Sequence, residues 1–302
     1  MRKPKRTSCR LLNYCEHYIN HNVGDKAKIW ISFYKLLRMF EVHQCYLNVY
    51  LMSNSFDKSM LDLFIAYLKE RGQAQTTVYN NFNKLRSMLN SCHDDGYDVN
   101  VTALKKTRVP HGESIAIYLD LEELKEIERL DVVGTKLHIR DLFLISCYTG
   151  LRYEDVIVLS KGDIVDDVIQ IKTRKTGEIV VIPLHPVIRE IFSRYPEGRI
   201  PSDFSLYYYN KSIKEIAQNA GIDEVHPLTL KPKWKMVSSR TGRRSFATNM
   251  YLSNPLGSVY PIMQITGHQT EESFFRYIRQ TKMQNAKQLL HNHPFFQYEN
   301  AV

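Results

Sequence analysis

Apolar residues recur every three or four positions in three stretches near the start of the chain. In residues 26–42 (KAKIWISFYKLLRMFEV), Ile29, Phe33, Leu36, Leu37 and Phe40 share one helical face. Residues 59–70 repeat the pattern with Leu61, Phe64, Ile65 and Leu68, and Gly72 supplies a stop signal. Residues 75–92 carry Val78, Phe82, Leu85 and Leu89 on one face, with Lys84 and Arg86 opposite. These stripes predict a small helical domain of at least three amphipathic helices, and core packing accounts for them without a cofactor. The period then fails. Residues 105–117 (KKTRVPHGESIAI) contain Pro110, Gly112 and a basic cluster, which reads as an interdomain linker. Asp120 followed by Leu121, Glu122, Glu123 and Leu124 is a capping-box start for a new helix. Residues 138–160 read as a long apolar helical stretch broken at Thr149 and Gly150. Over 168–184 (VIQIKTRKTGEIVVIPL) the period becomes two, with Lys175, Thr176, Gly177 and Glu178 in the middle, so a β-hairpin with a basic tip is predicted. Residues 186–292 read as helices and loops. The predicted fold class is mainly α with a small β-hairpin or sheet (α+β). Residues 1–107 form a helical domain, 108–117 a linker and 118–302 a second domain.

Composition narrows the partners. Of 302 residues, 43% are hydrophobic and 24% charged, as in ordinary globular proteins. No run of about 18 apolar residues would span a membrane, and no apolar segment follows the basic start Met1–Arg6 as a secretory signal requires. The formal net charge of +9 favours a polyanionic partner, nucleic acid ahead of a membrane surface. Five scattered cysteines (Cys9, Cys15, Cys45, Cys92 and Cys147) show no zinc-ligand spacing. Reduced thiols in a cytoplasm, with no metal and no cofactor, are expected.

The charge concentrates where chemistry is possible. The stretch TLKPKWKMVSSRTGRRS (residues 229–245) contains Lys231, Lys233, Lys235, Arg240, Arg243 and Arg244, with no acidic residue among them. It leads into an apolar helical pattern at Phe246, Ala247 and Met250, so the arginines open a helix against the dipole preference for cations. An anion bound there would offset that cost. Arg152 follows the break at Gly150, and Asp155, three residues on, can hold its guanidinium; an ordinary surface ion pair is the alternative. Lys175 sits at the hairpin tip, where a lysine either is solvated or reaches into a groove. Gly267 and His268 precede Thr270, a helix cap followed by Glu271 and Glu272, and Tyr277 is expected two turns along that helix, flanked by Arg276 and Arg279. A phenol with a pKa near 10 needs cations or a base to become a nucleophile.

Taken in order, Arg152 in GLRYED, Lys175 in KTGEIVVIPL, Arg243 in RTGRRSFAT, His268 in TGHQ and Tyr277 in FFRYI resemble the signature of the tyrosine recombinase (phage integrase) family. The resemblance covers roughly residues 118–290; residues 10–105 look like that family's helical core-binding domain, a SAM-like DNA-binding domain. It implies site-specific recombination: Tyr277 attacks a DNA phosphate to leave a 3′-phosphotyrosyl link, while Arg152 and Arg243 clamp the non-bridging oxygens. Lys175 protonates the leaving 5′ oxygen, Arg240 and His268 bond the same phosphate, and Asp155 orients Arg152. Lys105, Lys106, Arg108, Lys231, Lys233, Lys235 and Arg244 are the expected DNA contacts. The implied partners are double-stranded DNA and a homotetramer when synapsed on it, with the monomer allowed in solution, and the C-terminal Leu289, Leu290, Phe295 and Phe296 would pack on a neighbouring subunit. About two dozen residues precede the first clear helix, which favours a simple recombinase or a truncated integrase over one with an arm-binding domain. One position departs from the family pattern. Arg240 stands where the family usually has histidine, and a guanidinium donates hydrogen bonds but accepts no proton. A type IB topoisomerase-like nicking-closing enzyme and a catalytically impaired DNA-binding relative are the alternatives.

Overall fold

The computed structural model describes residues 7–21, 24–44, 50–112, 115–253 and 257–279, with isolated positions 283, 285, 286 and 290. The chain divides into two compact units, residues 1–114 and 115–302.

The first unit holds α1 (Leu11–Asn20), α2 (Asp25–His43), α3 (Lys58–Glu70), α4 (Gln75–Asp94) and α5 (Val101–Lys106). The periodic residues do bury: Phe33, Leu37 and Phe40 of α2 meet Leu61, Phe64 and Leu68 of α3 and Val78, Phe82, Leu85 and Leu89 of α4 in one core. Ile29 does not join them and is 49% exposed. Helix α1 gave no sequence signal because Arg10 at its start provides no side-chain cap. Helix α5 has one, since Asn100 accepts from the Ala103 amide, but it is six residues long and ends on Lys105 and Lys106, inside the stretch read as aperiodic. Those cations suit a helix C-terminus. Beyond α5 the chain stays bound to the unit: the Gln75 side chain donates to the Pro110 carbonyl at 2.7 Å, and His111 packs its ring on Tyr79.

The second unit begins with α6 (Leu121–Arg129), where the Asp120–Glu123 capping box forms as the sequence predicts. Helix α7 (Thr135–Thr149) is buried over nearly its whole length from Ile139 onward. Around it pack α6, α9 (Pro186–Ser193), α10 (Leu206–Asn219) and α11 (Ser239–Ser253). Asp141 on α7 is fully buried and satisfied by Arg140 at 2.9 Å, Arg194 at 3.2 Å and the Tyr195 hydroxyl at 2.8 Å. After the short α8 (Tyr153–Val156), strands β1 (Ile164–Val165), β2 (Val168–Lys172) and β3 (Ile179–Pro183) form an antiparallel sheet in that order. Gln170 pairs with Val181, which puts Ile169, Ile171, Val180 and Ile182 on the buried face. The hairpin was predicted; β1, only two residues long, was not. Helices α12 (Tyr260–Thr266) and α13 (Glu271–Phe275) complete the described fold and form a small core with Phe246 and Ala247.

Two glycines set how closely these parts meet. Gly150 ends α7 at φ 72°, and a Cβ there would lie 2.6 Å from the Phe246 ring. A Cβ on Gly242 of α11 would lie 2.5 Å from Ser146 Oγ of α7. The residues that follow them, Arg152 and Arg243, are brought together by this close packing.

Candidate active site

Arg243 is the hub of the site. It leaves α11 only 4% exposed, and its Nη1 donates to the Gly150 carbonyl at 2.9 Å. Its Nη2 donates to the Thr266 carbonyl and lies 3.4 Å from His268 Nε2. One guanidinium thus ties the end of α7, the end of α12 and its own helix together. Its Nε is buried with no partner. Burial, and then the charge of Arg152, lower its pKa to about 10, so it remains a cation at neutral pH. Such a buried, repelled charge is stable only if the fold holds it rigidly or an anion compensates it.

His268 and Tyr277 pack beside this hub. The two rings are 4.8 Å apart, and the Arg243 guanidinium carbon is 5.5 Å from the Tyr277 ring centre. Thr266 Oγ1 is 2.7 Å from both the Ile262 carbonyl and His268 Nδ1. A hydroxyl has one proton to give. If it goes to Ile262, Nδ1 carries the imidazole proton and donates to Thr266, and this network assigns Nε2 as an unprotonated acceptor toward Arg243. Burial, Arg243 and Arg152 lower the His268 pKa to about 4, which keeps the ring neutral at neutral pH.

Tyr277 does not stand on a helix as the sequence suggests. Thr270 does cap α13, accepting from the Ser273 amide, but that helix ends at Phe275 and Tyr277 lies in the turn beyond it. Fully buried Thr248 of α11 holds this turn: its hydroxyl contacts the Tyr277 carbonyl at 3.5 Å and accepts from the Arg279 amide at 3.2 Å. Of the flanking arginines, Arg276 is paired with Glu272 at 2.5 Å and is exposed. Arg279 is half-buried, and its charge, after burial, lowers the pKa of Arg244.

Arg152 stands half-buried at the start of α8, where its carbonyl accepts from the Asp155 and Val156 amides; its side chain makes no hydrogen bond or ion pair among the described residues. Asp155 does not hold it. The carboxylate is buried and accepts from the Arg174 backbone amide at 2.8 Å, which anchors the hairpin turn carrying Lys175. Lys175 itself is exposed at the tip. Arg240 is exposed in the first turn of α11. Lys233 also departs from expectation: its ammonium lies 2.6 Å from both Glu123 carboxylate oxygens and is not turned to solvent. Lys231 and Lys235 are exposed, as are Lys105, Lys106 and Arg108 in the first unit. Leu290 is exposed, whereas Leu289, Phe295 and Phe296 lie outside the described residues.

The site therefore gathers Arg152, Arg243, His268 and Tyr277; Lys175 lies on the exposed turn tied to Asp155, and Arg240 is exposed one turn before Arg243 on α11. Sequence reasoning missed Thr248, Thr266, Glu178 and Gln269. The first two act through a hydroxyl or carbonyl that no motif advertises. Among the described residues no group of histidine, cysteine, aspartate or glutamate is placed to hold a metal, and no helix is long and apolar enough to cross a membrane. A large cavity of about 790 Å³ lies elsewhere, in the first unit, lined by Arg38, Met39, Val42 and Tyr67 among others. Neither Arg152 nor Arg243 lines it.

Comparison with known proteins gives the same picture at the level of fold. Residues 10–102 match the family described as phage integrase SAM-like domain. No curated protein sequence matches the chain. Among solved structures, a lambda integrase dimer bound to a COC′ core site is similar at a TM-score of 0.69 and 16% identity, over 90% of this chain and 78% of that one. The Tn1549 transposon integrase in complex with transposon right end DNA has a TM-score of 0.67 and 15% identity, over 94% and 99%. The XerH site-specific recombinase bound to palindromic difH has a TM-score of 0.64 and 16% identity, over 93% and 83%. Residues 10–102 thus match a phage integrase SAM-like domain, and the chain as a whole shares the fold of these integrase and recombinase structures.

Proposed function

We propose that this protein is a site-specific DNA recombinase that cuts and rejoins strands through a 3′-phosphotyrosyl intermediate. The observation that carries the reading is Arg243, buried and fixed by the Gly150 and Thr266 carbonyls, with Tyr277 and His268 packed beside it and Arg152 near. Two cations with unspent donors next to a phenol form a site for the charge that builds on a phosphate under attack.

In this mechanism Tyr277 Oη forms a bond to phosphorus as the bond to the 5′ oxygen breaks. Arg152 and Arg243 hold the non-bridging oxygens. His268 Nε2 receives the phenol proton, a role open to it because it is neutral and its Nδ1 proton is committed to Thr266. The exposed Lys175 ammonium delivers a proton to the leaving oxygen. Arg240 adds a hydrogen bond to the phosphate. A 5′-hydroxyl then reverses the step, so the reaction consumes no external energy source. Duplex DNA is the substrate, with Lys105, Lys106, Arg108, Lys231, Lys235 and Arg244 as further contacts. Two exchanging duplexes require four sites, hence a tetramer, and the expected location is the cytoplasm. One of the similar structures is a lambda integrase tetramer bound to a Holliday junction, which supports that assembly.

The test is recovery of a covalent protein–DNA adduct, which also yields the target sequence. The wild-type chain should form it without added metal, and Tyr277→Phe should not. Relaxation of supercoiled DNA without strand exchange between two sites would instead make it a nicking-closing enzyme.

A further inference from the structure

Lys175 projects from a turn that the rest of the unit must position. Within the turn, the Thr173 and Thr176 hydroxyls meet at 2.8 Å, and the Thr173 amide donates to the Glu178 carbonyl. One external tie is Asp155 to the Arg174 amide. The other comes from the far side of the site: Gln269 Nε2 donates to Glu178 Oε1 at 2.9 Å, across 91 residues of sequence. Gln269 immediately follows His268. The approach is close, because a Cβ on Gly267 would lie 3.4 Å from Glu178 Oε2, and Gly267 has φ 62°. β3, which Glu178 precedes, also packs on α12, which Gly267 ends.

We propose that Glu178 and Gln269 form a latch that fixes the Lys175 turn against the His268 loop, and so act as positioning residues for protonation of the leaving oxygen. The proposal rests on the recombinase reading of the site. Charge alone argues against any other benefit of Glu178. Its partner is a neutral amide, so its negative charge stays uncompensated beside a surface that must receive phosphate. A residue that disfavours the substrate's charge is explained if it serves the chemistry instead. The latch is long-range and sits at the root of an exposed turn; of the external hydrogen bonds to that turn among the described residues, the Asp155 one would remain without it.

The experiment uses the duplex recovered from the wild-type adduct in two forms: the natural phosphodiester, and one with sulfur replacing the bridging 5′ oxygen at the scissile position. A thiolate leaves without protonation, since a thiol pKa is near 8.5. Glu178→Ala, Gln269→Ala, the double variant and Glu178→Gln are compared in single-turnover adduct formation. With the natural substrate each alanine variant should be about tenfold slower, as expected for one lost hydrogen bond that acts on geometry. The double variant should be no slower than the singles, because the two residues act as one unit. Glu178→Gln keeps an acceptor and should stay near wild type. With the sulfur substrate all should react within about twofold of wild type, and DNA affinity should not fall. Equal slowing on both substrates, or additive effects of the two alanines, overturns the latch. A wild-type chain that forms no adduct, or a Tyr277→Phe chain that does, overturns the recombinase reading and the latch with it.

Discussion

Replacing Arg243 by lysine separates what this residue does for the fold from what it does for the reaction. The guanidinium spans two carbonyls, those of Gly150 and Thr266, from one fixed plane. A lysine ammonium is a single point on a flexible stem and meets one of them. The variant therefore leaves one buried carbonyl without its charged donor, which costs about 2 kcal/mol. A domain of ordinary stability, about 5–15 kcal/mol, stays folded after such a loss. The chemical cost is larger. Lysine cannot hold two phosphate oxygens at once, and removal of one fixed donor from a site of developing charge costs roughly 10²–10³ in rate. Urea denaturation gives the first quantity, and single-turnover adduct formation on a nicked duplex of the recovered sequence gives the second. Arg243→Lys at wild-type stability would mean that the two carbonyl bonds do not hold the hub. Cleavage within about threefold of wild type would mean that the bidentate grip is not used.

Three further outcomes follow from single positions. Gly150→Ala combines a left-handed backbone with a Cβ 2.6 Å from Phe246, and should lower stability by about 2–4 kcal/mol in urea denaturation while slowing cleavage, since the Gly150 carbonyl orients Arg243. Asp141→Ala leaves the buried Arg140 guanidinium without its carboxylate and should cost about 3–5 kcal/mol by the same assay, with the rate per folded molecule unchanged. Arg240→Ala removes an exposed side chain and should alter stability by no more than about 0.5 kcal/mol. Its effect should appear in DNA binding, as a salt dependence shallower by about one counterion; a cooperative loss of folding would contradict its exposed placement.

Much of the fold is legible in the sequence because burial imposes a period. Phe33, Leu37 and Phe40 recur at helical spacing, and Ile169, Ile171, Val180 and Ile182 alternate, because each set faces a core. The Asp120–Glu123 box is legible because a cap must sit three residues from its partner. Helix α1 and strand β1 escape notice for the opposite reason: one lacks a capping side chain and the other is too short for a period. The sequence carries α13 on to Tyr277 because nothing between Phe275 and Tyr277 signals a stop, whereas the helix ends at Phe275. In the site, residue types and their order point to phosphate chemistry. The connections do not, because they run through backbone atoms. Asp155 reads as a partner for Arg152 by its spacing, yet it takes the Arg174 amide, a donor that every non-proline residue carries. Lys233 reads as one of a row of DNA contacts, yet Glu123, distant in sequence, claims it.

The electrostatics of the site lead to a consequence for DNA binding. Arg243 has a lowered pKa partly because Arg152 is near, and His268 is lowered to about 4 by burial and by both arginines. The folded site thus holds mutual repulsion that a phosphodiester anion would relieve. Once the anion is seated between the cations, the repulsion by Arg243 and Arg152 is offset, and the imidazole pKa is expected to rise to the extent of that offset, while burial, the larger cause of its lowering, persists. Binding will then take up a proton over the pH window between the free value near 4 and the higher bound value. Uptake vanishes well above that window, where the ring is neutral in both states. Calorimetric titration of the recovered duplex in mildly acidic buffers of differing ionisation enthalpy measures this uptake. It should peak in the middle of the window at a fraction of a proton set by the size of the shift, and disappear in His268→Gln. Uptake that persists in His268→Gln would assign the titration to another group, and its absence from the wild type would show that the bound phosphate does not sit among Arg152, Arg243 and His268.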